Sequence, residues 1–413
     1  MKKYFSPKGV FYNYFWLITV TAVIELITGI GWLTTLVLPI VIYYVVFSKK
    51  CKYQLNGLDF IWIIVLVWMI LTWTYNDYPN KSILILRCLG SQIAYMFAYW
   101  ISRRSSKNVI GIIIQNAYVP LIITAIIGIY CFFFRPGWYV NMIQVGFDKI
   151  GYSNTDYNIL EAHRLRSIFS SPYTLSYFCA ITLIYIFFKL VKNVENRKKF
   201  NYLMIFLLVI TIFLTMQRGP IVCSLLGLVV SIYYGYKYKG NKLIFQTFFC
   251  SCFVGIIAIP LFVNQIDKDT TAFMVSKVVQ VTDNSDEFVE YRLYLDKGNT
   301  EIVGDGVGRH DLHADKYNPD TSIRDGEYMK IIQEQGYIGL WLFLLLLTVC
   351  LMVCVGNFKI LSLEMCIIIM LLICMIGANP LSTIDKHSII YWLAFGQIAR
   401  CYDPYFRRKM AKK

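Results

Sequence analysis

The sequence predicts an all-α fold: a polytopic membrane helix bundle of about 12 transmembrane helices carrying a small, mostly helical extracytoplasmic cap. Three observations predict it. Hydrophobic residues make up 57% of the 413 and charged residues only 16%, with a mean hydropathy of +0.54, whereas soluble domains hold about a quarter charged residues. The apolar residues gather in runs long enough to span hydrocarbon, which takes roughly 20 residues. The Lys and Arg lie mostly in short connections between those runs, on one side of the bilayer.

The runs lie near 11–30, 32–47, 58–75, 83–101, 109–134, 168–190, 200–216, 219–236, 243–264, 337–355, 360–378 and 388–401. KKCK (49–52), RRSSK (103–107), KNVENRKK (192–199), KYKGNK (237–242), Lys359 and the tail RRKMAKK all fall on the same side. The positive-inside rule makes that side cytoplasmic, with both termini, so the expected location is a bacterial cytoplasmic membrane crossed many times. The N-terminal MKKYFSPKGVFYNYFWLITV lacks a small-residue cleavage site and reads as a first membrane helix rather than a removable signal.

Three parts follow. Residues 1–264 hold transmembrane helices 1–9 with an external loop over 135–166, residues 265–336 form the large extracytoplasmic cap, and residues 337–413 hold helices 10–12 and the basic cytoplasmic tail. The cap has nearly twice as many Asp and Glu as Lys and Arg, as an outer segment should, and is too long for a simple connection. Within it TAFMVSKVVQ and EFVEYRLYLDKGNTEI have helical spacing, and IRDGEYMKIIQEQGYIGLW reads as an amphipathic approach into the tenth helix.

Several function classes are set aside by the same distribution. A net charge of +15 on a nucleic-acid binder gathers on one soluble face, and here it does not, so no nucleic acid is expected. The 12 cysteines fall nearly all within apolar runs, a pattern for neither disulfides nor zinc. No self-similar halves are present, unlike many transporters. His310 and His313 form an H-x-x-H without helical support, which is a weak metal pattern. The Asp267–Asp269 D-K-D lies on the outer side, away from nucleotide sugars, and GDGVG (304–308) lacks the strand and helix of a dinucleotide site and reads as a turn. No metal and no cofactor are expected.

Ionisable residues inside hydrocarbon are costly and point to function or to side chains that snorkel. Lys189 and Glu364 lie near cytoplasmic ends and read as reaching water; Glu25 and Arg87 lie in outer parts of the first and fourth runs and read as a structural ion pair. Arg218, in FLTMQRGPIVCSLLG, sits at a tight turn between two apolar runs. It suits either a lipid-headgroup anchor or a diphosphate ligand, since its planar fork matches two phosphoryl oxygens. Arg166, Arg292 and Arg324 join it on the outer side, and Arg166, like Arg218, sits where a loop meets a helix near headgroup depth.

In these residues the chain resembles the O-antigen polymerase and O-antigen ligase superfamily of polytopic membrane glycosyltransferases, which includes capsule and exopolysaccharide polymerases. RLRSIFSSPYTLSYF is similar to the family's Arg, Phe, Ser-Pro entry into a helix, and LTMQRGPIVCSLLGLV to its Thr, Ser-Arg-Gly hairpin, with Gln217 for the common Ser. EYRLYLDKGNTEIVGDGVG resembles its Arg and Gly-x-Gly turn, and DGEYMKIIQEQGYIGL its closing motif. Where ligases carry His-Asn this chain has Asp325-Gly326-Glu327, which looks more like the polymerase branch.

The resemblance implies a metal-independent glycosyltransferase for undecaprenyl-diphosphate-linked oligosaccharide, working in membrane lipid beside other polysaccharide-assembly membrane proteins. Arg166, Arg218, Arg292 and Arg324 would bind diphosphate and glycan. Asp325 or Glu327 would be the catalytic base, ahead of Glu161, His163 and His313. Tyr291, Tyr294, Tyr317 and Tyr328 would stack on sugar rings or form the core of the cap. A ligase-type transferase and a flippase for the same lipid-linked sugar are the alternatives.

Overall fold

The computed structural model describes residues 7–28, 54–105, 108–141, 143, 164–169, 172–192, 198–239, 302–310, 326–381 and 386–402. They form helices and turns, with no strand among the described residues. In chain order the helices are α1 (Pro7–Tyr12), α2 (Tyr14–Thr28), α3 (Gly57–Tyr75), α4 (Lys81–Cys88), α5 (Ala94–Met96), α6 (Ala98–Arg104), α7 (Val109–Phe134), α8 (Pro172–Lys192), α9 (Lys198–Leu214), α10 (Arg218–Lys239), α11 (Glu327–Gly356), α12 (Phe358–Gly377) and α13 (Ser388–Tyr402).

Among the described residues six helices, α3, α7, α8, α10, α11 and α12, are long and apolar enough to cross a membrane, which marks a multi-pass membrane protein. Their exposed faces show why lipid is the solvent. Ile64, Val67 and Leu71 on α3, Ile123, Ile126 and Tyr130 on α7, and Trp341, Leu345 and Met352 on α11 are all exposed, apolar stripes that water would not stabilise. Twelve spans are expected from the sequence; α2 and α13, at 15 residues each, reach only about 22 Å at 1.5 Å per residue. The runs at 32–47 and 243–264 lie outside the described residues.

The chain divides into two compact units. The first combines residues 1–12, 35–112 and 289–413. Its centre is α13, buried from Ser388 to Cys401 and packed against α6, α11 and α12. Gly396 makes the closest approach possible, since a Cβ there would lie 2.0 Å from the Tyr99 carbonyl oxygen.

One end of this unit is locked by polar groups. Asn56 and Asp59 form a capping box at the start of α3, and the Asn56 amide donates to the Ala399 carbonyl at 2.8 Å. Asp59, fully buried, accepts from the Tyr99 hydroxyl at 2.6 Å and pairs with Arg103 at 3.1 Å. A carboxylate tolerates such burial only because each oxygen is bonded. Arg400 donates to the Ser105 carbonyl.

Two readings from the sequence need correcting here. Glu364 and Lys189 do not snorkel to water: they are 2% and 9% exposed. Glu364 lies within electrostatic reach of Arg400, and the Lys189 ammonium sits 5.1 Å from the Tyr185 ring centre, so protein groups nearby replace the route to water. The run at 83–101 is also not one regular helix. A π-helical turn, Leu89–Ile93, interrupts it, with the Cys88 thiol donating to Gln92 Oε1 at 3.0 Å. The side chains of Glu25 and Arg87 lie outside the described residues.

The second unit combines residues 13–34 and 113–288. In it α8 is buried along almost its whole length and packs on α9 and α10. Gly227 of α10 leaves room for Ile184, whose Cγ1 would be 2.3 Å from a Cβ there. Gln115 of α7 donates to the Tyr185 hydroxyl at 2.7 Å, and Phe15 of α2 meets Phe178 edge-on at 4.7 Å between ring centres.

Candidate functional site

In the second unit, Arg166 is carried by a non-helical segment, residues 164–169, that folds back into the bundle. Ser167 donates to the Thr124 carbonyl at 2.6 Å, and Leu165 and Ser167 fill the space left by Gly128. Thr124 lies ten residues before the end of α7, so the segment descends about 15 Å along that helix. Non-helical backbone at such depth persists only where protein or a polar cavity surrounds it. Arg166 itself is 7% exposed.

The same segment touches the hairpin between α9 and α10. The Leu165 N–H donates to the Leu214 carbonyl at 3.0 Å, four residues before Arg218, which begins α10 and is exposed. Gln217, 6% exposed, has an amide nitrogen with no hydrogen-bond partner among the described residues. Left-handed backbone occurs beside both arginines, at Ser167 (φ 59°) and Met216 (φ 53°). Each such residue costs about 1–3 kcal/mol, and such strain tends to collect at functional sites. Tyr139 donates to the Arg164 carbonyl at 3.3 Å. Burial pushes its phenol up to about 12, against the opposing backbone hydrogen bond and charge of Arg166.

In the first unit, α11 breaks at Gly336, which has φ 69° and ψ −176°. The loop Ile302–His310 docks into the break. Asp305 N–H donates to the Gln333 carbonyl at 2.7 Å and Gly306 N–H to the Glu334 carbonyl at 2.9 Å, while Ile338 N–H turns to the Ile302 carbonyl at 3.4 Å. The Trp68 indole takes the Gln335 carbonyl at 2.8 Å. Only glycines allow this approach, because a Cβ on Gly304 would sit 2.3 Å from the Gly336 nitrogen. The glycine-spaced turn is thus a plug on a broken helix. Asn76 and Tyr78 fasten its outer side, donating to the Gly304 and Val307 carbonyls at 3.0 and 2.9 Å. Burial first, then the Glu334 charge, pushes the Tyr78 phenol well up.

Glu327, Lys330 and Glu334 share one face of α11 by their three- and four-residue spacing. All three are buried, at 3%, 2% and 1% exposure. The Glu327 carboxylate accepts the Leu381 N–H at 3.0 Å, and Gly326, at φ 136°, donates to Asn379 Oδ1 at 3.1 Å. Glu334 takes the His310 N–H at 3.1 Å and faces the Lys330 ammonium at 3.9 Å. His310 Nε2 lies 3.2 Å from Asp305 Oδ2. Between α3, the π turn, α11 and α13 lies a cavity of about 30 Å3, whose polar lining is Glu327, Glu334, Gln335, Gln92 and Trp392.

The expected site residues are therefore distributed as follows. Arg166 and Arg218 lie on two stretches of the second unit that the Leu165–Leu214 hydrogen bond joins, the first buried and the second exposed, and Glu327 lines the cavity of the first unit. The half-buried Tyr328 donates from its hydroxyl to the Leu372 carbonyl at 3.0 Å. Asp325, Arg292, Arg324, Glu161, His163, His313, Tyr291, Tyr294, Tyr317 and the Asp267–Asp269 motif lie outside the described residues. Among the described residues no group of His, Cys, Asp or Glu is arranged to hold a metal. Sequence reasoning missed Glu334, Gln92 and Trp392. The i, i+7 spacing from Glu327 was a usable signal for Glu334; Gln92 and Trp392 sit in apolar runs and gave none. Compared with protein-family models and with curated proteins, the chain matches none.

Proposed function

We propose that the chain is a membrane glycosyltransferase of about twelve spans, with both termini cytoplasmic, that polymerises undecaprenyl-diphosphate-linked oligosaccharide repeat units. The reaction takes place at the outer face of a bacterial cytoplasmic membrane, in O-antigen, capsule or exopolysaccharide synthesis. The observation that carries this reading is the buried Arg166 on its inward-folded segment, hydrogen-bonded through Leu165 to the turn that leads to Arg218. Two arginines on stretches of an apolar bundle that a backbone hydrogen bond joins suit a diphosphate whose lipid tail stays in hydrocarbon.

The chemistry needs no metal. The acceptor hydroxyl oxygen forms a bond to the anomeric carbon of the donor sugar while the bond from that carbon to the diphosphate oxygen breaks. The hydroxyl proton goes to a carboxylate, for which Glu327 and Asp325 are the candidates, and the charge of the leaving lipid diphosphate needs guanidinium partners, for which Arg166, Arg218, Arg292 and Arg324 are the candidates.

Mass spectrometry of lipid-linked glycans from a deletion strain tests the reading. Single repeat units on the lipid at the outer leaflet are expected. Long polymer still on the lipid would instead mean ligation, and single units held at the inner leaflet, resistant to external glycosidase, would mean translocation. Glu327→Gln in a strain that also carries Asp325→Asn should leave the same single units, because both base candidates are then neutral.

A further inference from the structure

The cavity of the first unit is assembled from interruptions in its helices. Gln92 comes from the π turn, Gln335 from the residue before the break at Gly336, and Glu327 from the first turn of α11. π-helical turns of this kind recur at functional sites. Trp392, only 3% exposed, borders the same cavity, and its indole N–H has no hydrogen-bond partner among the described residues. A buried donor left unmade costs about 1–3 kcal/mol, so it is a group for which a ligand acceptor is the natural complement.

The lining sets the ligand's chemistry. A carboxylate only accepts hydrogen bonds and an indole N–H only donates. One atom that satisfies both must donate a proton to Glu327 and accept one from Trp392, and a hydroxyl does this where a cation or an anion cannot. The size agrees, since about 30 Å3 admits a hydroxyl or one to two water molecules but not a sugar ring. Lys330, paired with Glu334 at 3.9 Å, balances the second carboxylate.

We propose that this cavity is the acceptor subsite, which receives one hydroxyl of the acceptor glycan between the Glu327 carboxylate and the Trp392 indole N–H. The inference rests on the glycosyltransferase reading and adds Trp392 to it as a positioning residue, which aims the hydroxyl oxygen while Glu327 takes its proton.

The test uses the purified full chain in proteoliposomes, with the lipid-linked repeat unit of the deletion strain as donor and the same oligosaccharide on an octyl aglycone as acceptor. Trp392→Phe keeps the ring and removes the N–H. It is expected to raise the acceptor KM about tenfold while the donor KM stays within about twofold. Trp62→Phe is the control, because Trp62 is equally buried and its indole N–H also has no partner among the described residues, yet it does not border the cavity. It should change neither KM. Val65→Ile, which adds a methylene to another lining residue, should raise the acceptor KM with the Trp392 ring intact, and it decides the matter should Trp392→Phe not fold. Normal acceptor KM in both cavity variants, with an active wild type, would mean the cavity holds only water and overturns the inference while sparing the reading beneath it. An equal loss in Trp62→Phe would overturn it as a packing effect. A wild-type protein that transfers no sugar would overturn the glycosyltransferase reading itself.

Discussion

Replacing Gly336 by alanine should release the Ile302–His310 loop from α11. The backbone there has φ 69° and ψ −176°, a region that costs a side chain about 1–3 kcal/mol. The new Cβ would also lie 2.1 Å from the Ile302 carbonyl oxygen and 2.5 Å from its carbon, contacts that backbone cannot yield locally. The loop must move, and the bonds from Asp305 and Gly306 to the Gln333 and Glu334 carbonyls are lost at about 1 kcal/mol each. The backbone strain alone shifts the equilibrium toward the undocked loop by about 1–3 kcal/mol, a factor of roughly 5 to 150, and the clash with Ile302 adds to it; the two bonds hold the loop in wild type and variant alike, so they set the docking energy to be overcome and not the size of the shift. Hydrogen exchange read by mass spectrometry on the detergent-solubilised protein should show the Asp305 and Gly306 amides protected in the wild type and fast in Gly336→Ala. Gly356→Ala is the control, with nothing within 4 Å of the added Cβ. Unchanged protection in Gly336→Ala would refute the argument that the glycine is needed for docking.

Three further outcomes are expected. Asp59→Ala strands Arg103, which is 3% exposed, and should destabilise the protein by about 3–5 kcal/mol, seen as a large loss of monodisperse protein in size-exclusion chromatography. Arg218→Lys keeps the charge but loses the planar fork, so polymer length on surface glycans should fall as it does in Arg218→Ala, with both variants retained in the membrane; near-normal polymer from Arg218→Lys would point to headgroup anchoring. Burial lowers His387 to about 3, below its ordinary value, so the unfolded chain binds the proton that the folded chain refuses and stability falls as pH drops through the unfolded value of about 6.5. Between pH 7 and 5 the wild type should lose about 2 kcal/mol relative to His387→Asn, measured as melting temperature in detergent.

Much of the helical framework was legible because hydrocarbon imposes a length and a composition on every span, and ten of the twelve expected runs fall on helices. The amphipathic approach at 327–336 was legible for the same reason, its apolar spacing carrying directly into α11. What the pattern could not carry was departure from periodicity. The π turn at Leu89–Ile93 has a continuous apolar sequence around it, and a hydropathy run does not record whether carbonyls bond four or five residues on. Ser167 and Met216 adopt left-handed backbone although neither residue type announces it, so the inward fold that buries Arg166 had no signature beyond the arginine. GDGVG did announce a turn, but its dock, a glycine thirty residues further along, depends on packing. Glu364 was misread because Arg400, on another helix, is invisible to a count of residues from a helix end, and Lys189 because such a count ignores the Tyr185 ring one turn back on its own helix.

The polar lock of the first unit has a consequence for biogenesis. Asn56 reaches Ala399 across 343 residues of chain, and Arg400 reaches Ser105 across 295. At ~5–20 residues per second of synthesis, roughly 15–60 s pass between the emergence of Ser105 and that of its partner. During that interval Asp59 and Arg103 lack the helix that covers them, and most of the second unit is made in the meantime. A nascent chain in this state leaves the Asp59–Arg103 pair uncovered on the side that α13 later occupies, and the arrival of α13 buries it. Synthesis of α13 and burial of the pair are thereby linked, so a chain that stops before α13 leaves the pair uncovered.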